Sequence, residues 1–132
     1  MTVQAYVVQA QIISDDATGE GLDPDSGEMG WSNDGTTAVA SPFGSVPFNS
    51  WHYLCGTRNQ NILTSLYIDG KLVTTWSGGG FSATLAKQTT IGAVPTGGGA
   101  HSAWFTGDIG GVRVYNRVLS ATELQQLYSS GG

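Results

Sequence analysis

This sequence predicts an all-β domain of two stacked antiparallel sheets with one short helix near its C-terminal end. Three observations carry that expectation. Short apolar runs recur along the chain, divided by clusters of Gly, Asn, Asp and Ser, as strands divided by turns require. Glycine supplies 20 of the 132 residues while only 11% are charged, a balance that suits turns and sheets. A helical period of apolar residues occurs once, after Ser120.

The elements follow in order. In Val3 to Ile13, the alternation of Val3, Ala5 and Val7 with Gln4, Tyr6 and Val8 predicts a strand with one face inward. Residues 14 to 35 read as a polar, acidic, Gly-rich loop interrupted by Met29 and Trp31. Thr36 to Ala40 is a short strand, and Pro42 and Pro47 bracket a turn-rich stretch ending at Trp51. Trp51 to Thr57 and Ile62 to Ile68 read as strands joined by the polar 58–61 segment. Asp69-Gly70 is the sharpest local signal, because a two-residue type I′ hairpin needs positive φ at both central residues. Lys71 to Trp76 is then the returning strand. Gly78-Gly79-Gly80 and Pro95 to Gly99 read as loops, with a strand at Thr89 to Ala93. Trp104-Phe105 leads into a strand from Asp108 to Tyr115. Ser120 and Glu123 match a capping box, and Leu124, Leu127 and Tyr128 share one face of the helix that follows. Nothing suggests a linker, repeat or second domain, so residues 1–132 read as one domain.

Charge narrows the partners. Seven of the ten acids lie in the first 34 residues and all five bases lie later, leaving the first part at −7 and the rest at +2. An acidic loop without a compensating basic stripe argues against nucleic acid. No apolar run is long enough to span a bilayer, and a signal-peptide pattern is not visible at the start, so membrane insertion is not expected. Cys55 is the lone cysteine, which excludes an intrachain disulfide and reads as a buried, inert thiol.

The series Trp51-His52-Tyr53-Leu54, Leu66 to Val73 with its Asp69-Gly70 turn, Ile91-Gly92-Ala93, and Gly107 to Ser120 with Val112-Arg113-Val114-Tyr115-Asn116-Arg117 resembles the laminin-G-like, or concanavalin A-like lectin-glucanase, jelly-roll superfamily. The opening Thr2 to Val7 is similar to the family's first long strand. The resemblance implies a jelly-roll sandwich with Trp51, Leu54, Leu66, Ile68, Ile91, Ile109, Val112 and Val114 between the sheets. It also implies a non-catalytic carbohydrate-binding or adhesion module, extracellular or on a cell or virion surface. Family domains carry a further strand before the one beginning here at Thr2. Its lack would leave an unpaired edge through which copies of the chain could form a homo-oligomer. The alternative function is therefore a structural or assembly subunit of a surface, virion or filament.

Three sets of residues are candidate sites. Asp23, Asp25 and Glu28 alternate on a Gly-containing loop and could supply hard oxygens to calcium, against a reading as a solvated acidic loop. Trp31, Asn33, Asp34, His101 and Trp104 are the candidate glycan contacts, pairing an aromatic face with groups that hydrogen-bond to hydroxyls; a glycan or glycoprotein is the expected partner. Trp31 is placed among loop residues, whereas Trp51 is assigned to the core. An enzyme is not expected. A glycoside hydrolase requires two carboxyl groups about 5–9.5 Å apart, yet Asp69 is committed to a turn and Glu123 to a cap. His52 and His101 could act as bases, but no Ser or Cys motif accompanies them.

Overall fold

The computed structural model describes residues 29–33, 36–47, 50–59, 63–77, 94–97, 100–102, 108–113 and 115–131. Among them are seven strands in three antiparallel groups and one helix. Gly30–Asn33 (β1) pairs with Thr36–Ala40 (β2). Leu54–Arg58 (β3), Leu63–Ile68 (β4) and Lys71–Ser77 (β5) form a meander in that order. Val94–Gly97 (β6) pairs with Ala100–Ser102 (β7), and Ala121–Ser129 is the helix (α1).

The Asp69-Gly70 turn forms as its dipeptide requires. Ile68 pairs with Lys71, and φ is 52° at Asp69 and 75° at Gly70. Two positive φ values match the right-handed twist of the flanking strands. A Cβ at Gly70 would lie 2.9 Å from Gln125 Oε1, the end of an exposed side chain on α1 that can move aside, so the positive φ is what favours glycine here. A bulge in the register follows, between Leu66 and Tyr67, where Val73 enters β5 as an extra residue.

The central sheet is apolar on both faces. Leu54, Leu66 and Ile68 join Met29 on one face, with Val46, Val73 and Trp76 packed against them. The alternating residues Cys55 and Tyr67, together with Tyr53, join Leu119 and Leu124 on the other, with Tyr115 and Leu127 alongside. The period of two sends successive residues to opposite faces. Here both faces are covered, so β4 reads as a buried run rather than as an alternation. Each large aliphatic side chain removed from water contributes about 1.5–3 kcal/mol.

The helix supplies the second cover. A nine-residue helix is too short to persist alone. Leu124, fully buried, docks it. Its start is fastened by the capping box: Glu123 N–H donates to Ser120 Oγ (3.2 Å), and Ser120 N–H donates to Glu123 Oε2 (2.8 Å). Arg117 adds a two-pronged pair to the same carboxylate, at 3.0 and 2.6 Å. Those bonds, the guanidinium contact first and the Ser120 amide next, hold the Glu123 carboxyl down at about 2. Gly131, at φ 85°, closes the C-terminal end by donating to Tyr128 O.

Several expectations are corrected. Gly30–Asn33 is a strand rather than part of a loop. Residues 94–97 and 100–102 form a hairpin where Pro95 to Gly99 read as a loop. The ladder begins at Leu54, so Trp51 and His52 lie outside the strand assigned to them. Residues 108–113 and 115 adopt no strand. Trp51 is 71% exposed rather than in the core. The physical reason is the length of the pairing. The ladder stops at Leu54 opposite Ile68, where the chain turns at Asp69, so among the described residues no partner strand aims Trp51 at either face. Leu54, Leu66 and Ile68 take the core places expected of them, whereas Ile109 and Val112 are half-buried. Cys55 is buried as expected, and burial pushes its thiol up to about 12. The predicted strands at Val3 to Ile13 and Thr89 to Ala93, and Val114, lie outside the described residues.

Candidate functional site

A connected set of described polar groups, Ser50, His52 and Asp69, lies at the end of the central sheet. Antiparallel pairing of Leu54 with Ile68 places Tyr53 opposite Asp69. Asp69 N–H donates to Tyr53 O (2.8 Å), and Tyr53 N–H donates to Asp69 Oδ1 (2.9 Å). The carboxylate thus extends the ladder by one pair, using its side chain where the backbone has turned away. Its second oxygen, Oδ2, lies 2.9 Å from His52 Nδ1. His52 Nε2 in turn lies 2.7 Å from Ser50 Oγ, which also stands 3.2 Å from Pro47 O.

The array grades from packed to open. The His52 and Asp69 side chains are 16% and 31% exposed, while Ser50 lies on the surface. Between Ser50 and His52 stands Trp51, its indole exposed; a methyl at Gly110 would meet its Cζ3 at 3.6 Å, an ordinary contact. Asp108 is exposed on the same 108–113 segment. The site is an aromatic surface beside a connected run of hydroxyl, imidazole and carboxylate groups.

The hydrogen-bond roles in this run are determined by chemistry. An ionised carboxylate accepts only, so the proton on a neutral His52 sits on Nδ1. Nε2 is then an acceptor, and the Ser50 hydroxyl donates to it. If His52 is protonated, Nε2–H donates to Ser50 Oγ and the Ser50 proton turns to Pro47 O. Both states are fully satisfied by partners already in place.

The sequence-predicted residues are placed as follows. Trp31 lies on β1 opposite Val39, at a register shift, and Asn33 ends that strand opposite Thr36. His101 lies on β7 opposite Pro95. Asp34, Trp104, Asp23, Asp25 and Glu28 lie outside the described residues, as do the other acids of the first segment. Among the described residues no group of three or more His, Cys, Asp or Glu is arranged to hold a metal ion. Sequence reading missed Ser50 and set His52 aside as a strand residue that no Ser or Cys motif accompanies. The local signal was Ser50-Trp51-His52 itself, but Asp69, 17 residues from His52, is brought in only by strand register.

A family model described as the concanavalin A-like lectin/glucanases superfamily, of laminin-G type, matches residues 4–125. The chain belongs to that superfamily. The match runs through every described strand and into α1, so the Asp69 hairpin, the capping box and the Trp51 segment are all parts of one family domain. Neither the curated proteins nor the solved structures contain a match to the chain.

Proposed function

We propose that this member of the superfamily is a carbohydrate-recognition or adhesion module built on a two-sheet jelly roll, and that its glycan seats on Trp51. One observation carries the reading: an indole 71% exposed, flanked in sequence by Ser50 and by His52, whose imidazole pairs with Asp69. A buried aromatic side chain withdraws 150–250 Å² from water. An exposed one leaves that gain to whatever covers it. A pyranose ring suits the surface because its C–H face meets the indole while its hydroxyls reach neighbouring polar groups. Ser50 Oγ has both donor and acceptor capacity for such a hydroxyl, and the exposed Asp108 carboxylate is a second acceptor.

A glycan array followed by calorimetry tests this reading. Trp51→Ala is expected to weaken any hit at least tenfold without lowering the unfolding midpoint, since the residue contributes little to the core. Undiminished binding by Trp51→Ala moves the site elsewhere, with Trp31, Asn33, Asp34, His101 and Trp104 the next set to mutate. Repeating the measurement in calcium and in chelator tests Asp23, Asp25 and Glu28 together.

An assembly subunit is the second reading. Phe43 at the tip of the Pro42–Ser45 turn and Leu72 on β5 are 77% and 53% exposed, apolar surface of the kind that contacts between copies cover. Silence on the array together with concentration-dependent oligomers in sedimentation favours assembly.

A further inference from the structure

Sugar binding has no need of the order in which Ser50, His52 and Asp69 are connected. A hydroxyl donates to the imidazole nitrogen facing it, and the opposite nitrogen is held by a carboxylate whose other oxygen is tied to a backbone amide. That is the arrangement in which a serine becomes a nucleophile: base within hydrogen-bond reach, base oriented by a third group. Ser50 is open to solvent, while the His52 and Asp69 side chains behind it are partly withdrawn, at 16% and 31% exposed.

We propose that Ser50 is a nucleophile toward acyl esters, with His52 as its general base and Asp69 as the positioning residue. We infer further that the substrate class is an O-acylated sugar, a clause that rests on the glycan reading of Trp51. The inference departs from the sequence expectation of a non-catalytic module, which found no Ser or Cys motif accompanying either histidine. Ser50 Oγ attacks the ester carbonyl and gives its proton to His52 Nε2. The bond from carbonyl carbon to sugar oxygen breaks, and the leaving oxygen takes that proton. Water then attacks the acyl-Ser50 carbonyl, losing its proton to His52, and the free acid departs as Ser50 regains its hydrogen. Water is the sole co-reactant.

Asp69→Asn separates this role from a structural one. The Asn carbonyl must face Tyr53 N–H, because an amide NH₂ there would set two donors against each other. The Asn NH₂ then faces His52 Nδ1 and forces the proton onto Nε2. Ser50 becomes the acceptor of that bond and turns its own proton to Pro47 O, so the fold is satisfied while the base is lost.

The test exposes the purified chain to a fluorophosphonate probe and maps the adduct by mass spectrometry. One adduct on Ser50 is expected, absent in Ser50→Ala. It should form at least about 100-fold more slowly in Asp69→Asn, the scale of a positioned general base. No adduct, an adduct elsewhere, or an Asp69→Asn protein that labels at the parent rate overturns the proposal. Labelling uses no sugar, so its failure is independent of the Trp51→Ala binding result. Acid release from an O-acetylated oligosaccharide supports the substrate class. Turnover confined to an activated aryl ester overturns that class and leaves the nucleophile standing.

Discussion

Replacing Asp69 by Ala and by Asn divides the work of that residue into parts whose sizes follow from its contacts. Asp69 occupies φ 52°, a left-handed position that Asn tolerates and that costs a residue such as Ala about 1–2 kcal/mol. Its Oδ1 accepts from Tyr53 N–H, a bond of typical net worth about 1 kcal/mol. Its Oδ2 meets His52, but with both side chains partly exposed the pair is worth only about 0.5–1 kcal/mol. Asp69→Ala loses all three and should cost about 2–4 kcal/mol. Asp69→Asn keeps the backbone conformation and the acceptor for Tyr53, and should cost no more than about 1 kcal/mol. Urea unfolding at pH 7, followed by tryptophan fluorescence with the slope checked for constancy, measures both. A double-mutant cycle with His52→Ala should return a coupling near the pair's worth, about 0.5–1 kcal/mol. If Ala and Asn destabilise equally, the left-handed φ and the Tyr53 bond contribute nothing, and the account of how the sheet end is built is wrong.

Three further outcomes are expected. Leu124→Ala should cost about 2–5 kcal/mol, because a fully buried Leu is the anchor of a helix that cannot stand alone, whereas exposed Gln126→Ala should change little; thermal melts by circular dichroism decide, and equal losses refute the docking. Tyr53→Phe should be neutral or stabilising by up to about 2 kcal/mol, since the Tyr53 hydroxyl is buried without a partner among the described residues; a loss above about 1 kcal/mol reveals a partner for it. The Glu123 carboxyl is lowered from 4.5 to about 2, so its contribution to the folded state is complete above pH 4.5 and is lost as pH falls toward 2; Arg117→Met should move that loss to higher pH, and an unchanged acid-unfolding curve refutes the pairing.

Local chemistry was the legible part of this chain. Asp69-Gly70 specified its hairpin because two positive φ values exclude most other residues, and Ser120 with Glu123 specified the helix start because both capping bonds lie within four residues. The same hairpin rule was available twice more, unread. Asn33 pairs with Thr36 across an Asp-Gly dipeptide, and Gly97 with Ala100 across Gly-Gly. In both places the surrounding polar and glycine residues suggested a longer loop, and backbone pairing outweighed composition. Trp51 failed for a different reason. Its apolar character argued for the core, but inward placement depends on a partner strand, and the partner ends at Ile68.

By itself, then, the sequence determined the superfamily, the antiparallel strands around Asp69-Gly70, the burial of Leu54, Leu66, Ile68 and Cys55, and the capped helix. These depend on residue type and on spacings of a few positions. Tertiary structure alone decided that α1 covers a second apolar face of the sheet, that Trp51 stands in solvent, and that Ser50, His52 and Asp69 touch in that order. Those outcomes depend on which residues the strand register sets opposite one another, a relation between distant parts of the chain that no local pattern encodes.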